Sequence, residues 1–220
     1  MYNSSTELVK YEFPKKIISP IYKIFENANI VYQDVIEDEF FKSEYVTNVK
    51  GRIMSYAIYR QFDSLYLPKN FPFKVKSVTM SFQQKRVELH RPNIILTIAK
   101  VNSRNTLPTV SNYRKKYASR NWGLGRQIYM DILDNNRIKL NQEPYYGIIV
   151  YNINNSSLEF VDIVIPDYKY ERILERIELK PKFEVHKIED IKDDEKRILG
   201  IENLKKEILD SKILFSDEGE

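Results

Sequence analysis

One short stretch, Asn93–Val101, narrows the fold class more than any other part of the chain. Ile94, Ile95, Leu96, Thr97, Ile98 and Ala99 follow one another with no charged residue between them, and most are β-branched. A strand with one wet face alternates polar and apolar side chains. A strand apolar on both sides belongs in the middle of a sheet that is covered on both faces. Such a sheet needs helical layers, so the fold class expected is α/β or α+β.

The remaining elements fit around that strand. Val75–Phe82 and Arg86–Arg91 alternate as strands do. Tyr145–Asn152 and Leu158–Ile165 form a further pair, joined by the turn-forming Ile153-Asn154-Asn155-Ser156-Ser157. Pro166-Asp167 closes the second of these. The expected sheet is therefore mixed, with about five strands and helices against it. A short helix is expected over Ile21–Asn29, and a broken acidic stretch over Asp34–Tyr45. Val49, Ile53, Tyr56, Ala57, Tyr59 and Phe62 predict a helix over Val46–Leu65, in which Gly51 marks a close approach to the sheet. Further helices are expected over about Gly125–Asp134 and over Tyr168–Leu179, where Ile173, Leu174 and Ile177 are the apolar positions. Apolar residues from Ile188 to Leu209 recur in an otherwise charged segment and predict amphipathic helices. The domain organisation expected is one domain over 1–182 and a charged helical appendage over 183–220.

Charge is sharply partitioned. Residues 64–130 hold thirteen Lys and Arg against one acid, Glu88. Residues 1–63 carry eight basic and nine acidic side chains, and residues 131–220 carry fourteen and twenty-one. The balances are +12, −1 and −7, which sum to the net +4 of the chain. A middle third this positive calls for an anionic partner: nucleic acid, a phosphate-rich ligand, or the acidic C-terminal third itself. The chain has no Cys, which removes disulfides, thiol catalysis and Cys-ligated metals. Residues 1–16 lack an apolar core of signal-peptide length, and no apolar run reaches a membrane span. A cytoplasmic protein without a membrane partner is expected.

The candidate binding residues cluster in the basic connection 102–122 and just after it, within 23 residues from Arg104 to Arg126. Arg104, Arg114, Lys115, Lys116, Arg120 and Arg126 occur there with no acid between them, and Tyr113, Tyr117 and Trp122 are interleaved. Cations hold phosphates and planar rings stack on exposed bases. His90 lies two residues from Glu88, so the two share a strand face. The pair is read as a partly buried strand histidine beside an acid. Trp122-Gly123-Leu124-Gly125-Arg126 lacks the Lys-Ser/Thr of a phosphate loop and is read as a helix-entry turn.

The order helix, three strands, helix, strands over about residues 46–165 resembles the core of the PD-(D/E)xK nuclease superfamily. That resemblance implies an acid on the second strand, here Glu88, and an acid-x-lysine triplet on the third, here Ile98-Ala99-Lys100. The residues would hold Mg²⁺, but Ile98 stands where the second carboxylate belongs. Acids arriving from Glu37, Glu39 or Glu44 are the remaining route to a metal site. Separately, Asn93–Pro166, with its Ser-Asn-Tyr-Arg-Lys-Lys-Tyr connection and Leu-Glu-Phe-Val-Asp-Ile-Val-Ile-Pro-Asp ending, looks like uncharacterised proteins of low-GC Gram-positive bacteria and their prophages. This resemblance implies a mobile-element role and supplies no catalytic residue.

The function expected is non-catalytic nucleic-acid binding through the basic third, with no cofactor and no metal. The alternative is a protein-interaction factor of the immunity, antitoxin or anti-defence type, gripping its partner through residues 188–209. A Mg²⁺-dependent nuclease with a displaced carboxylate, using Glu88 and Lys100, is the third reading.

Overall fold

The computed structural model describes residues 2, 4–43, 47–80, 85–124, 143–154 and 157–180. They divide into two compact units, one within 1–23 and 67–180, the other within 24–66.

The first unit is a six-stranded mixed sheet in sequence order, so the fold is α+β. Its strands are β1 (Lys74–Thr79), β2 (Lys85–Arg91), β3 (Ile94–Lys100), β4 (Tyr145–Asn154), β5 (Ser157–Pro166) and β6 (Ile173–Glu178). Strands β1–β3 form one antiparallel meander and β4–β6 another. The two meanders meet at a parallel seam, β3 against β4, with Ile94 beside Tyr145 and Lys100 beside Tyr151. As expected of the apolar run, β3 is buried from Ile94 through Ala99.

Two helices cover opposite faces of this sheet. Helix α1 (Ser5–Glu12) begins at Ser4, whose Oγ accepts a hydrogen bond from the Glu7 backbone N–H at 3.1 Å. Thr6 Oγ1 donates to Glu175 at 2.7 Å, and Arg91 Nη1 donates to the Glu12 carbonyl at 2.7 Å. Glu175 and Arg91 both lie on the face that Leu96, Ile98 and Ile149 share, because side chains alternate along a strand. Helix α5 (Asn112–Ala118) covers the other face, where Ala99, Tyr146, Ile148, Val150, Phe160 and Val164 pack with Ala118 and Tyr170.

The second unit is helical where it is described. Helix α2 (Lys15–Ile36) starts in the first unit and continues into the second, and is followed by α3 (Glu39–Lys42) and α4 (Thr47–Gln61). Phe25, Ala28, Tyr32 and Val35 on α2, and Ile53, Met54, Ala57 and Ile58 on α4, are among its buried apolar positions.

Four expectations change. The sheet has six described strands rather than about five, because residues 173–178 pair with β5 instead of forming a helix over Tyr168–Leu179. The spacing of Ile173, Leu174 and Ile177 suits a helix, but the segment adds to the sheet instead, pairing with β5 as its terminal strand. Helix α2 runs from Lys15 through Pro20, not from Ile21, and reaches Ile36 within the stretch expected to be broken. An apolar stripe that holds helical phase from Ile21 to Val35 outweighs one missing backbone hydrogen bond. Gly51 is exposed and an added Cβ would meet nothing within 4 Å, so it marks no close approach. The helices expected over about Gly125–Asp134 and over 188–209, and the domain boundary at 182/183, lie outside the described residues.

Candidate nucleic-acid interface

Strand alternation puts Arg86, Glu88 and His90 on the α5 side of the sheet. Their neighbours on β1 are Val78, Lys76 and Lys74 in that order, and Thr97 of β3 faces Glu88. Tyr113 and Tyr117 are four residues apart on α5, hence on one side of the helix.

Glu88 is 2% exposed and is the centre of this face. Its Oε1 accepts from Arg86 Nε at 3.0 Å, from Arg86 Nη2 at 2.8 Å and from the Tyr117 hydroxyl at 3.0 Å. Its Oε2 lies 3.0 Å from His90 Nε2. The Arg86 guanidinium in turn stacks 4.0 Å above the Tyr113 ring, and Arg120 sits 4.6 Å from the Tyr117 centroid. Tyr117 packs on Tyr146 at 5.3 Å, and the Tyr146 hydroxyl meets Thr97 Oγ1 at 2.7 Å.

The electrostatics follow. Burial pushes the Glu88 carboxyl upward, but hydrogen bonds from His90, Arg86 and Tyr117 and the Arg86 charge outweigh it and hold the group below its ordinary value. Burial and the adjacent Glu88 raise the Tyr117 phenol. Burial works against the Arg86 charge, yet its bonds to Glu88 raise the guanidinium further. A carboxylate with both oxygens engaged by an arginine, a tyrosine and a histidine is a pin between sheet and helix, not a vacant ligand for a cation.

The nuclease-like pair is not brought together. Glu88 faces Thr97, so Ile98 and Lys100 project from the opposite side of the sheet. Glu37 and Glu39 belong to the second unit, and Glu44 lies outside the described residues. Among the described residues there is no group of three or more acidic or histidine side chains placed to hold a metal ion.

The basic connection divides by residue type. Arg104 reaches Glu178 at 3.0 Å and Asp162 at 3.5 Å. Arg114 donates to the Thr109 carbonyl and lies 5.2 Å from the Tyr113 ring. Arg120 pairs with Glu143 at 2.8 Å. Lys115 and Lys116, by contrast, are exposed and form no ion pair among the described residues. Tyr113 and Tyr117 are occupied as above, Trp122 is 54% exposed, and Arg126 lies outside the described residues.

Two features escaped the sequence. Lys74 and Lys76 lie on the edge strand β1, exposed, on the same sheet face as Glu88. Their i, i+2 spacing was a visible signal of a shared strand face. Asp162 is fully buried on β5, 3.5 Å from Arg104 Nε and 3.9 Å from Arg176 Nε, with neither oxygen hydrogen-bonded among the described residues. Burial raises its carboxyl above the ordinary range, and the two arginines offset this only in part.

No described helix is long and apolar enough to cross a membrane. No family model, curated protein or solved structure matches the chain.

Proposed function

We propose that the chain binds nucleic acid without cleaving it, holding phosphates with Lys115 and Lys116 of α5 and with Lys74 and Lys76 of β1. One observation carries this. Every described arginine of residues 64–130 is engaged inside the protein: Arg86 by Glu88, Arg91 by Glu12, Arg104 by Asp162 and Glu178, Arg114 by Thr109, and Arg120 by Glu143. The lysines of the same stretch, Lys69, Lys74, Lys76, Lys85, Lys100, Lys115 and Lys116, are all exposed. Arginine's planar fork suits fixed internal partners, whereas lysine is a point charge on a long stem that adapts to a phosphate backbone. The positive charge presented to solvent is therefore lysine charge, and four of these lysines stand on the face that α5 covers or on α5 itself.

A binder of this kind is driven by counterion release and has little sequence preference. If the four lysines each meet a phosphate, log affinity falls against log salt with a slope of about −3. Anisotropy of a labelled oligonucleotide, titrated at several salt concentrations, measures it. The variant carrying Gln at positions 74, 76, 115 and 116 should lose most of that slope. No binding of the wild type at low salt, or an unchanged slope in the variant, overturns the proposal.

A further inference from the structure

We infer that Arg104 is a conditional phosphate ligand: Asp162 and Glu178 hold it while Asp162 is ionised, and it joins the nucleic-acid contact when the Asp162 carboxyl takes up a proton. The inference rests on the nucleic-acid reading above and names how that site is regulated.

Arg104 differs from the other arginines that pair with acids in the basic third. Its side chain is 38% exposed, against 12%, 24% and 15% for Arg86, Arg91 and Arg120. The guanidinium lies 5.1 Å from the Phe160 ring centroid, which places it over β5. From there Nη1 donates to Glu178 Oε1 at 3.0 Å, while Nε is 3.5 Å from Asp162 Oδ2, beyond ordinary hydrogen-bond length. Glu178 is itself 54% exposed, and exposed ion pairs hold weakly. The charge of Asp162 is therefore the main restraint on this arginine.

Asp162 is poorly satisfied for a buried acid. It is fully buried, and neither oxygen is hydrogen-bonded among the described residues. Facing it from β4 is Val150, directly opposite and apolar. Facing it from β6 are Glu178, directly opposite, and Arg176, whose Nε is 3.9 Å away and whose Nη1 donates to Asn105 Oδ1 at 3.1 Å. Arg104 faces it from the connection. Burial raises the carboxyl above its ordinary range, and the two arginine charges offset this only in part. Acidification therefore neutralises Asp162 in the folded protein above the ordinary aspartate value of about 3.9. Arg104 is then left with one exposed partner. A phosphodiester competes for it well, because the planar fork of arginine matches two phosphate oxygens.

The position suits the contact. Asp162 shares a sheet face with Val150 and Phe160, which pack on the α5 side, the side of Lys74 and Lys76. Strands β1 and β5 are four steps apart in the sheet, about 19 Å. A nucleic-acid strand covers that span in about six nucleotides, at about 3.4 Å per phosphate.

The test uses labelled oligo-dT, whose bases and phosphodiesters keep their charge under mildly acidic conditions. Anisotropy titrations of the full chain at several salt concentrations give the slope of log affinity against log salt at about pH 8 and about pH 5. Asp162→Asn should steepen the slope at about pH 8 by about 0.7, the value of one added phosphate on a single strand. The gap between variant and wild type should narrow at about pH 5, where the wild type carries the proton. Combining Asp162→Asn with Arg104→Gln should return the slope to that of wild type. Glu178→Gln, a change at an exposed position, removes the other partner of Arg104 and should also steepen the slope. Thermal melts at both pH values establish that the variants fold. An unchanged slope in either folded single variant, a gain that survives Arg104→Gln, or a gap that stays constant with pH overturns the role of Arg104 while phosphate binding by the lysines stands. Absence of wild-type binding to oligo-dT at low salt overturns both readings.

Discussion

Lys76 of β1 is the direct cross-strand neighbour of Glu88, yet the Glu88 carboxylate takes its hydrogen bonds from Arg86 and His90 of its own strand and from Tyr117 of α5. A side-chain pair that strand geometry would favour is forgone. The acid is withdrawn beneath the helix and the lysine is left in solvent. One arrangement thereby fastens α5 and keeps a cation available.

Substitutions should separate these roles. Glu88→Gln replaces charge-assisted bonds to Arg86 and His90 and is expected to destabilise the protein by about 2 kcal/mol. Tyr117→Phe, which loses one hydroxyl bond, should cost about 1 kcal/mol. Lys76→Gln should change stability by less than about 0.5 kcal/mol. Urea unfolding measures all three. A cost for Lys76→Gln equal to that of Glu88→Gln would show that the lysine shares the pin.

Acid titration should set the two buried carboxylates against each other. The Glu88 carboxyl is held low, so its stabilisation is complete above the ordinary glutamate value of about 4.3 and is lost as pH falls through its lower folded value. The Asp162 carboxyl is held high, so the folded protein takes up that proton before the unfolded chain does. Acidification from neutral toward the ordinary aspartate value of about 3.9 therefore improves the Asp162 contribution. The stability of wild type relative to Glu88→Gln should shrink below about pH 4, while wild type relative to Asp162→Asn should gain between pH 7 and about pH 4. Parallel pH profiles for the two variants would contradict the assignment.

Gly147 sits at the parallel seam, where an added Cβ would lie 2.7 Å from Leu96 Cδ2 and 3.1 Å from Ile165 Cδ1. Gly147→Ala should cost about 1–3 kcal/mol by overpacking. Both clashing atoms are side-chain tips, so combining it with Leu96→Ala should cost less than the sum of the single changes. Additive losses in denaturant titrations would place the strain in the backbone instead.

No metal-dependent cleavage is expected, since Glu88 is saturated by donors and Lys100 leaves the other side of the sheet. Plasmid and single-stranded substrates incubated with Mg²⁺ or Mn²⁺, beside a Glu88→Ala control, test this. Cleavage by wild type that vanishes in the control would show a carboxylate from elsewhere completing a site.

The sheet's interior was legible because composition alone decides it: the β3 run and the β4–β5 hairpin leave no competing period. Residues 173–178 were not, since Ile173, Leu174 and Ile177 fit a helix by spacing and only the partner strand β5 overrides that. Helix α5 was hidden inside a polar segment that carries one buried residue, Ala118. For the site, the sequence lists the cations of the connection. It could not tell which were neutralised, because the partners of Arg104 and Arg120 are Asp162, Glu178 and Glu143, acids remote in sequence. Nor could it show that Glu88 and Lys100 face apart, which depends on the register of β2 against β3.

The parallel seam has a kinetic consequence. Within each meander, successive strands are joined by short connections and can pair early. Joining β3 to β4 requires Lys100 and Tyr145 to be gathered across the whole intervening chain, a loop whose closure entropy must be met before any seam contact forms. Assembly of the sheet should therefore be limited by the docking of two preformed three-stranded halves. Until they dock, the most apolar strand of the protein, β3, has an open edge, which makes the half-assembled chain the state most prone to aggregate.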